Sequence, residues 1–172
     1  MSVKLKALLV GAVLSAAGAT VCNAFATETV DGCKVDEAGA QKIWSCPGGL
    51  TIIEENGASF TLDDRDHDGN VDLVRLWGKA LLLDLVEGSG RELEVVTPQA
   101  ITAVRGTKWA VDVETAKTSV FVERGSVAVS AAGKRVLLQA GQGTNIPRPG
   151  DAPTPPAQWR PERVRAALAS VE

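Results

Sequence analysis

The chain has 172 residues and a formal net charge of −3, which is enough length for one domain with a proper hydrophobic core. Its mildly acidic balance offers no broad basic face and so disfavours binding to nucleic acid or to anionic lipid. A single histidine and no tyrosine leave few groups for acid–base or nucleophilic catalysis.

Residues 1–26 have the pattern of a secretory signal peptide. Two lysines precede an apolar run over residues 7–21, and residues 24–26, AFA, supply a small-x-small cleavage site. We expect cleavage after Ala26 and export to the periplasm, which lowers the formal net charge of the mature protein from −3 to −5. An uncleaved membrane anchor is the alternative, but the apolar run is shorter than the roughly 20 residues that span a bilayer.

Cleavage would remove Cys22 and leave Cys33 and Cys46, an even pair in an exported chain. We interpret them as a disulfide that pins an N-terminal segment, 27–49. The chain-entropy model gives roughly 3 kcal/mol for a loop of this length. Metal ligation by the two thiols is the alternative, but the sequence has no second cysteine pair and no nearby histidine to complete a tetrahedral site.

From Gln41 onward, apolar residues recur with a period of two and turn residues follow at short intervals, which is typical of an all-β domain. Runs such as ALLLDL and SVFVE are apolar at consecutive positions, as expected of a strand that is covered on both faces. The predicted strands are 50–54, 59–62, 72–77, 79–85, 93–96, 100–104, 108–113, 118–123, 126–130, 135–139 and 144–146.

Four glycines each lie between two apolar runs, in the pattern strand, glycine corner, strand. Glycine accepts a positive φ without steric cost, so these are the positions where the chain can turn sharply. A compact sandwich and a twisted solenoid of short strands would both use such corners. The four predicted corners are Gly78, Gly106, Gly125 and Gly141.

Several spaced motifs lie between residues 95 and 146. A V-x-T-P segment is followed by V-R-G-T with a strand, then by a hairpin of the form V-x-V-x-x-G-x-V-x-V, and finally by L-x-x-G. In this order they resemble the FecR domain family. The residues that carry the resemblance are Thr97, Pro98, Arg105, Gly106, Thr107, Trp109, Gly125 and Gly141.

The resemblance implies a β-rich domain over residues 27–146, with twisted, solenoid-like or sandwich packing, that binds protein partners and has no known chemistry of its own. The better-known FecR-type proteins place a sigma-factor-binding arm in the cytoplasm, one helix in the membrane and the FecR domain in the periplasm. Because this chain opens with a signal peptide, we expect an exported, stand-alone version of the sensory domain, with no cytoplasmic arm and no membrane span in its mature form.

The stretch DDRDHDGNVD, residues 63–72, carries the only histidine, His67, among five aspartates. Its spacing resembles the calcium loop of FG-GAP-type repeats, D-x-D-x-D-G-x-x-D followed by an apolar strand. An EF-hand would need a glutamate where Arg75 stands. We predict a calcium site, and the alternative is a turn whose charges are solvated. The predicted ligands are Asp64, Asp66, Asp68, Asp72 and the backbone carbonyl of Asn70.

The remaining candidate side chains, two glutamates and two tryptophans, give little support for catalysis or ligand binding. Glu54 and Glu55 are adjacent in a predicted strand and so point to opposite faces, which prevents a catalytic carboxylate pair. Trp77 and Trp109 are expected to fill the core, with a stacking platform for sugars as the alternative.

Arg105 interrupts an alternating strand just before Gly106. We expect it to pair with Asp112 or Glu123, or to donate to turn carbonyls; a ligand-binding arginine is the alternative.

Residues 147–158 are rich in proline and are expected to run extended as a strap that cannot join a sheet. Residues 159–172 predict a helix that starts at Pro161 and places Val164, Leu168 and Val171 on one face. So short a helix needs tertiary contacts, so we expect it to dock on the β-domain with Trp159 as its anchor. Docking on another protein is the alternative.

These features together predict a non-enzymatic periplasmic module for protein binding and envelope signalling, with an envelope protein as its partner and calcium as its only candidate cofactor. A calcium-stabilised adhesion or glycan-binding protein is one alternative. A carboxylate-based hydrolase is the other.

Overall fold

The structure is a computed structural model that describes residues 28–30, 32–39 and 41–171. The predicted signal peptide, 1–26, lies outside the described residues. The elements in chain order are β1 (Glu28–Val30), β2 (Cys33–Ala38), β3 (Gln41–Cys46), β4 (Leu50–Glu54), β5 (Ser59–Asp63), β6 (Leu73–Leu85), β7 (Leu93–Val96), β8 (Ile101–Val104), β9 (Lys108–Val113), β10 (Thr118–Arg124), β11 (Ser126–Ala131), β12 (Lys134–Gln139), β13 (Gln142–Ile146), β14 (Ala157–Gln158) and α1 (Pro161–Leu168).

The strands form two sheets that share β6 and so make one continuous, curled surface. The wide sheet has the order β1-β2-β3-β4-β6-β9-β10-β13-β14, and the narrow sheet has the order β5-β6-β7-β8-β11-β12. Among the strands of the described residues, only β6 and β7 pair in parallel; the other ladders are antiparallel. The all-β prediction of short strands with a C-terminal helix is confirmed.

β6 is buried on both faces in its second half, as its run of consecutive leucines predicts. Leu81, Leu83 and Leu85 join the main core between the two sheets. Ala80 and Leu82 point the other way, into a second apolar cluster beneath α1. Both faces of residues 80–83 are therefore removed from water, which explains why these four residues are all apolar, and Asp84 beyond them is again partly exposed.

The middle of β6 corrects the prediction of two separate strands with a corner at Gly78. The strand runs through Gly78, and the neighbouring residue, Lys79, takes the positive φ of 67°. The pairing with β5 slips here: Ser59 lies opposite Gly78, but Phe60 lies opposite Leu76, so Trp77 is an extra residue in a β-bulge. The bulge lets one strand leave the narrow sheet and enter the wide one.

The bulge also inverts the alternation along β6. Leu76 faces the main core before it and Leu81 faces the same core after it, although the two residues are an odd number of positions apart. Trp77 is consequently turned outward and is 50% exposed. The prediction that Trp77 fills the core is therefore wrong, whereas Trp109 on β9 is fully buried as predicted.

The N-terminal segment contains three strands that precede the first predicted one: β1, β2 and β3 form a meander that extends the wide sheet beside β4. Cys33, at the start of β2, is bonded to Cys46, at the end of β3, so the predicted disulfide is confirmed. Both sulfur-bearing residues belong to the main core. The bond thus ties the added strands to the domain as well as to each other.

The C-terminal segment covers the outer face of the wide sheet. The Trp159 ring stacks on Phe121 with ring centroids 5.2 Å apart, and the Arg163 guanidinium lies 3.8 Å from the centre of the Trp159 ring. Gly143 lies beneath the indole: a Cβ there would lie 2.3 Å from the Trp159 ring, so only glycine fits. Leu168 and Val171 are buried beside them, so α1 docks within its own chain.

Residues 147–158 correct a second prediction, that the proline-rich strap cannot join a sheet. Gln158 and Ala157 pair with Gln142 and Gly143 of β13. Proline has no N–H to donate to a neighbouring strand. The two paired residues follow the last proline of the run, so both have the N–H groups that the pairing needs. The strap is thus hydrogen-bonded to the sheet at its end and lies against it before α1 begins.

The disulfide should contribute strongly to stability. Replacing both cysteines, Cys33→Ser with Cys46→Ser, should lower the free energy of unfolding by about 3 kcal/mol, because the unfolded chain regains the entropy that the bond removes. Urea unfolding of the two proteins measures the difference. Native protein that alkylates at both cysteines would contradict the bond itself.

Two tryptophans provide a matched pair for the packing described above. Trp159→Ala should cost about 3–5 kcal/mol in urea unfolding, because it opens a cavity over Gly143 and removes the stacking with Phe121. Trp77→Ala should change stability by no more than about 0.5 kcal/mol, because that ring is exposed. Equal losses from the two substitutions would show that the strap is not packed as described.

Candidate functional site

The loop between β5 and β6 brings part of the predicted calcium-ligand set together. Asp64, Asp66 and Asp72 each offer a carboxylate oxygen, and the three atoms lie within 4.8 Å of one another. Gly69, at the sharp turn of the loop, has a φ of 88°, which only glycine adopts without strain. Asp68, a fourth predicted ligand, does not belong to this group of carboxylates, and the backbone carbonyl of Asn70 stays a predicted ligand.

Backbone amides of the loop hold the carboxylates in place. The N–H groups of Asp68 and Gly69 donate to the two carboxylate oxygens of Asp64, at 3.2 and 2.9 Å. The N–H of Asn70 donates to the carboxylate of Asp68 at 2.8 Å. The N–H of Arg65 donates to Asp72 at 3.0 Å, and this bond closes the loop across its base.

The charges of the loop act on two of its carboxyl groups. Hydrogen bonds from the side chain and the backbone of Asn70 lower the pKa of Asp68. The hydrogen bond from the N–H of Asp68 lowers the pKa of Asp66, but desolvation and the negative charges of Asp68 and Asp72 outweigh it, so the pKa of Asp66 is raised overall. The repulsion that raises it is the repulsion that a bound cation would relieve.

Arg91, which the sequence analysis missed, braces this loop from outside. Its guanidinium donates to the carbonyl of Val71 at 2.9 Å and lies 3.9 Å from the carboxylate of Asp72. It also covers Gly48, where a Cβ would lie 2.0 Å from a guanidinium nitrogen. The sequence around Arg91 could not predict this role, because its partners come from distant parts of the chain.

The Thr97-Pro98 part of the FecR-like motif builds a buried hydroxyl network. The Thr97 hydroxyl accepts the N–H of Ala100 at 2.9 Å and lies 3.0 Å from the hydroxyl of Thr118. Thr118 in turn donates to the side-chain carbonyl of Gln99 at 2.6 Å. The network fastens the turn between β7 and β8 to the start of β10, and its polar groups are satisfied inside the protein.

The Arg105-Gly106-Thr107 part of the motif forms a corner that interlocks with a second one. The Thr107 hydroxyl lies 3.1 Å from the carbonyl of Arg105 and 3.0 Å from the carbonyl of Ser126. A Cβ on Gly106 would lie 2.9 Å from the backbone of Glu87, and a Cβ on Gly125 would lie 2.9 Å from the Thr107 hydroxyl. Gly106, Gly125 and Gly141 all have positive φ, as their predicted corner role requires.

The Arg105 side chain points away from this corner and is 75% exposed. It pairs with Glu92 at 2.8 Å, so the expected partners, Asp112 and Glu123, are wrong. Glu123 pairs with Lys108 at 2.9 Å instead. Burial, with a smaller contribution from the charge of Glu114, raises the pKa of Asp112.

The exposed face of Trp77 borders an open hollow that sequence analysis did not predict. Its lining includes the polar side chains of Glu55, Lys79, Asp112 and Glu114. Lys79 donates to the carbonyl of Asn56, and Glu55 accepts the N–H of Ala80 at 3.0 Å. The hollow thus combines an aromatic surface with several carboxylates, of which Glu55 is held by a backbone hydrogen bond.

Two side chains that could serve in catalysis, Glu54 and His67, are respectively hydrogen-bonded inside the protein and exposed to solvent. Glu54 is buried and accepts the indole N–H of Trp44 at 2.9 Å, so it serves the fold. His67 is exposed at the tip of the acidic loop.

Calcium binding at the acidic loop stays a prediction, and thermal unfolding tests it. A cation bound only by the folded protein should raise the melting temperature as calcium increases. Asp66→Asn with Asp72→Asn should remove that rise, because the loop keeps its hydrogen-bond acceptors but loses two ligand charges.

The matched control is Glu87→Gln with Glu114→Gln, which removes two exposed charges outside the loop and should leave the calcium effect intact. A melting curve that millimolar calcium does not move would show that residues 63–72 form only a turn.

The comparisons with known proteins agree on the type of domain. Residues 48–128 match the family described as FecR protein. Among solved structures, the chain is similar to two crystal structures, at 1.65 and 2.50 Å resolution, of a putative anti-sigma factor from Parabacteroides distasonis ATCC 8503. The TM-scores are 0.62 and 0.61, the sequence identities 19% and 18%, and the similarity covers 76% and 78% of this chain. The chain spans 61% and 62% of those chains.

No curated protein matches the chain by sequence. Within the described residues, no helix is both long and apolar enough to cross a membrane. The matched segment begins upstream of the motifs quoted above and runs from the turn before β4 into β11. Because the sequence identity to the solved structures is only 19% and 18%, their similarity shows a shared fold. Residues 48–128 of this chain therefore belong to the FecR family.

Proposed function

We propose that the protein is a non-catalytic signalling module of the cell envelope that acts by binding another protein. The observation that carries the proposal is the FecR domain itself, over residues 48–128. Its motif residues serve the fold. Thr97 belongs to a buried hydroxyl network, and the corners are formed by Gly106, Thr107 and Gly125. They build a rigid scaffold, and a scaffold of this kind regulates through the surfaces that it presents to a partner.

Two features support an exported location. Residues 1–26 have the pattern of a signal peptide that is cleaved after Ala26. The Cys33–Cys46 bond is typical of proteins that fold in an oxidising compartment. In that location the domain would meet envelope proteins rather than a cytoplasmic sigma factor. We infer that any effect on transcription passes through a partner that itself reaches the membrane.

Glycan binding is a second candidate function, and the hollow beside Trp77 favours it. An exposed indole offers a flat apolar surface to the C–H face of a sugar. The carboxylates of Glu55 and Asp112 border the same hollow and accept hydrogen bonds from hydroxyl groups. The two functions differ in their ligand, so one set of experiments separates them.

Site-specific photo-cross-linking in intact cells tests protein binding. A photoreactive residue is placed at exposed positions on different parts of the surface, Trp77, Val86 and Ile101, in the full chain. We expect one protein partner to be cross-linked from one position or from neighbouring ones, and we expect the purified mature protein to begin at Thr27. A buried position, Leu83, serves as the control and should give no cross-link.

Two results would contradict the proposal. In the first, an envelope polysaccharide binds the purified protein, Trp77→Ala abolishes that binding, and no protein is cross-linked from any position. This result favours glycan binding. The second is turnover of a glycan or peptide that acidic-residue substitutions abolish, which would make the protein a hydrolase.

A further inference from the structure

The hairpin of β11 and β12 fixes which backbone groups face outward. Ala132 and Gly133 connect the strands and have φ values of 47° and 70°. Two positive φ angles in a two-residue connection define a type I′ turn, so Ala131 and Lys134 form the hydrogen-bonded pair next to it. Such pairs alternate with non-hydrogen-bonded ones along an antiparallel ladder. Val136 and Leu138 therefore direct their backbone groups to β11.

It follows that Arg135 and Leu137 direct their N–H and C=O groups away from β11. Among the described residues, β12 pairs with no strand other than β11, so it forms an open edge of the narrow sheet. Beyond Leu137 this edge is closed, because the N–H of Gln139 donates to the side chain of Gln142 at 2.9 Å. The free donors and acceptors thus belong to two residues near the middle of the strand.

The side chains at this edge do not protect it. Leu137 is 57% exposed, and its cross-strand neighbours on the same face are Ala128 and, one strand further, Ala103. Alanines are too short to shelter it. The edge also lacks a proline and a bulge, the devices that usually prevent strand addition. Only the end next to the turn is charged, by Lys134 and Arg135.

We propose that the edge of β12 pairs antiparallel with β12 of a second copy of this chain and makes a two-fold symmetric dimer. The pairing sets Arg135 opposite Leu137 of the second copy and Leu137 opposite its Arg135, with the two Val136 residues facing each other on the axis. In this register, every free N–H of one strand meets a free C=O of the other. This inference is independent of the envelope partner proposed above.

A second copy fits better than an arbitrary strand because the sequence of β12 complements itself in this register. The aliphatic part of the Arg135 side chain covers the exposed Leu137 of the other copy. Lys134 lies opposite Leu138, so no two like charges are directly opposed. The two narrow sheets then continue into one another across the axis, which is the symmetric arrangement that an isologous contact requires.

Sedimentation velocity of the mature protein over a range of concentrations tests the dimer. We expect reversible dimerisation that Leu137→Pro weakens by about tenfold or more, because it removes an outward N–H and an exposed side chain but no bond to β11. Ile101→Ala is the matched control: Ile101 is an exposed apolar residue on β8, away from the edge, and its loss should leave dimerisation unchanged.

Cross-linking tests the register without relying on the proline variant. Cα atoms of a non-hydrogen-bonded pair lie about 4.5 Å apart, within disulfide range. Val136→Cys should therefore give a disulfide-linked dimer under mild oxidation, and Ile101→Cys should not. The proposal is overturned by wild-type protein that stays monomeric, by dimerisation that Ile101→Ala removes and Leu137→Pro does not, or by Val136→Cys protein that fails to cross-link.

Discussion

The fold depends on the pairing of β6 with four other strands. In its first half, this thirteen-residue strand lies between β5 and β7, and in its second half between β4 and β9. Its side chains contribute to the core on one face and to the packing under α1 on the other. Without the bulge at Trp77, β6 could not belong to both sheets, and the narrow and wide sheets would have no common strand. The acidic loop and the hollow beside Trp77 both depend on where that strand begins and bends.

The sequence predicted those features that depend on local pattern or on simple counting. The consecutive apolar runs of β6 and β10, the pairing of Cys33 with Cys46 and the start of α1 at Pro161 are of this kind. It could not predict the N-terminal meander, because β2 and β3 alternate weakly and depend on β4 for their partner. It placed Trp77 on the wrong face, because one extra residue in a ladder reverses the alternation and leaves no mark on the residue types.

Some features of the candidate site could likewise be predicted from the sequence, and others could not. The spacing of the aspartates predicted that they would share a loop, and three of them do converge. Asp68 does not belong to that group, which the spacing of the aspartates could not show, and the partners of Arg91 and Arg105 depend on which loops meet in three dimensions. Long, exposed side chains reach several acceptors at similar distances, so their pairing follows from the finished fold.

The contact between Trp159 and Gly143 makes the C-terminal segment dependent on one residue of β13. An indole that lies on bare backbone makes the two positions interdependent: a side chain at 143 would expel the ring, and a small residue at 159 would leave the glycine uncovered. A residue with a Cβ at position 143 would therefore be accommodated only if position 159 carried a side chain smaller than an indole.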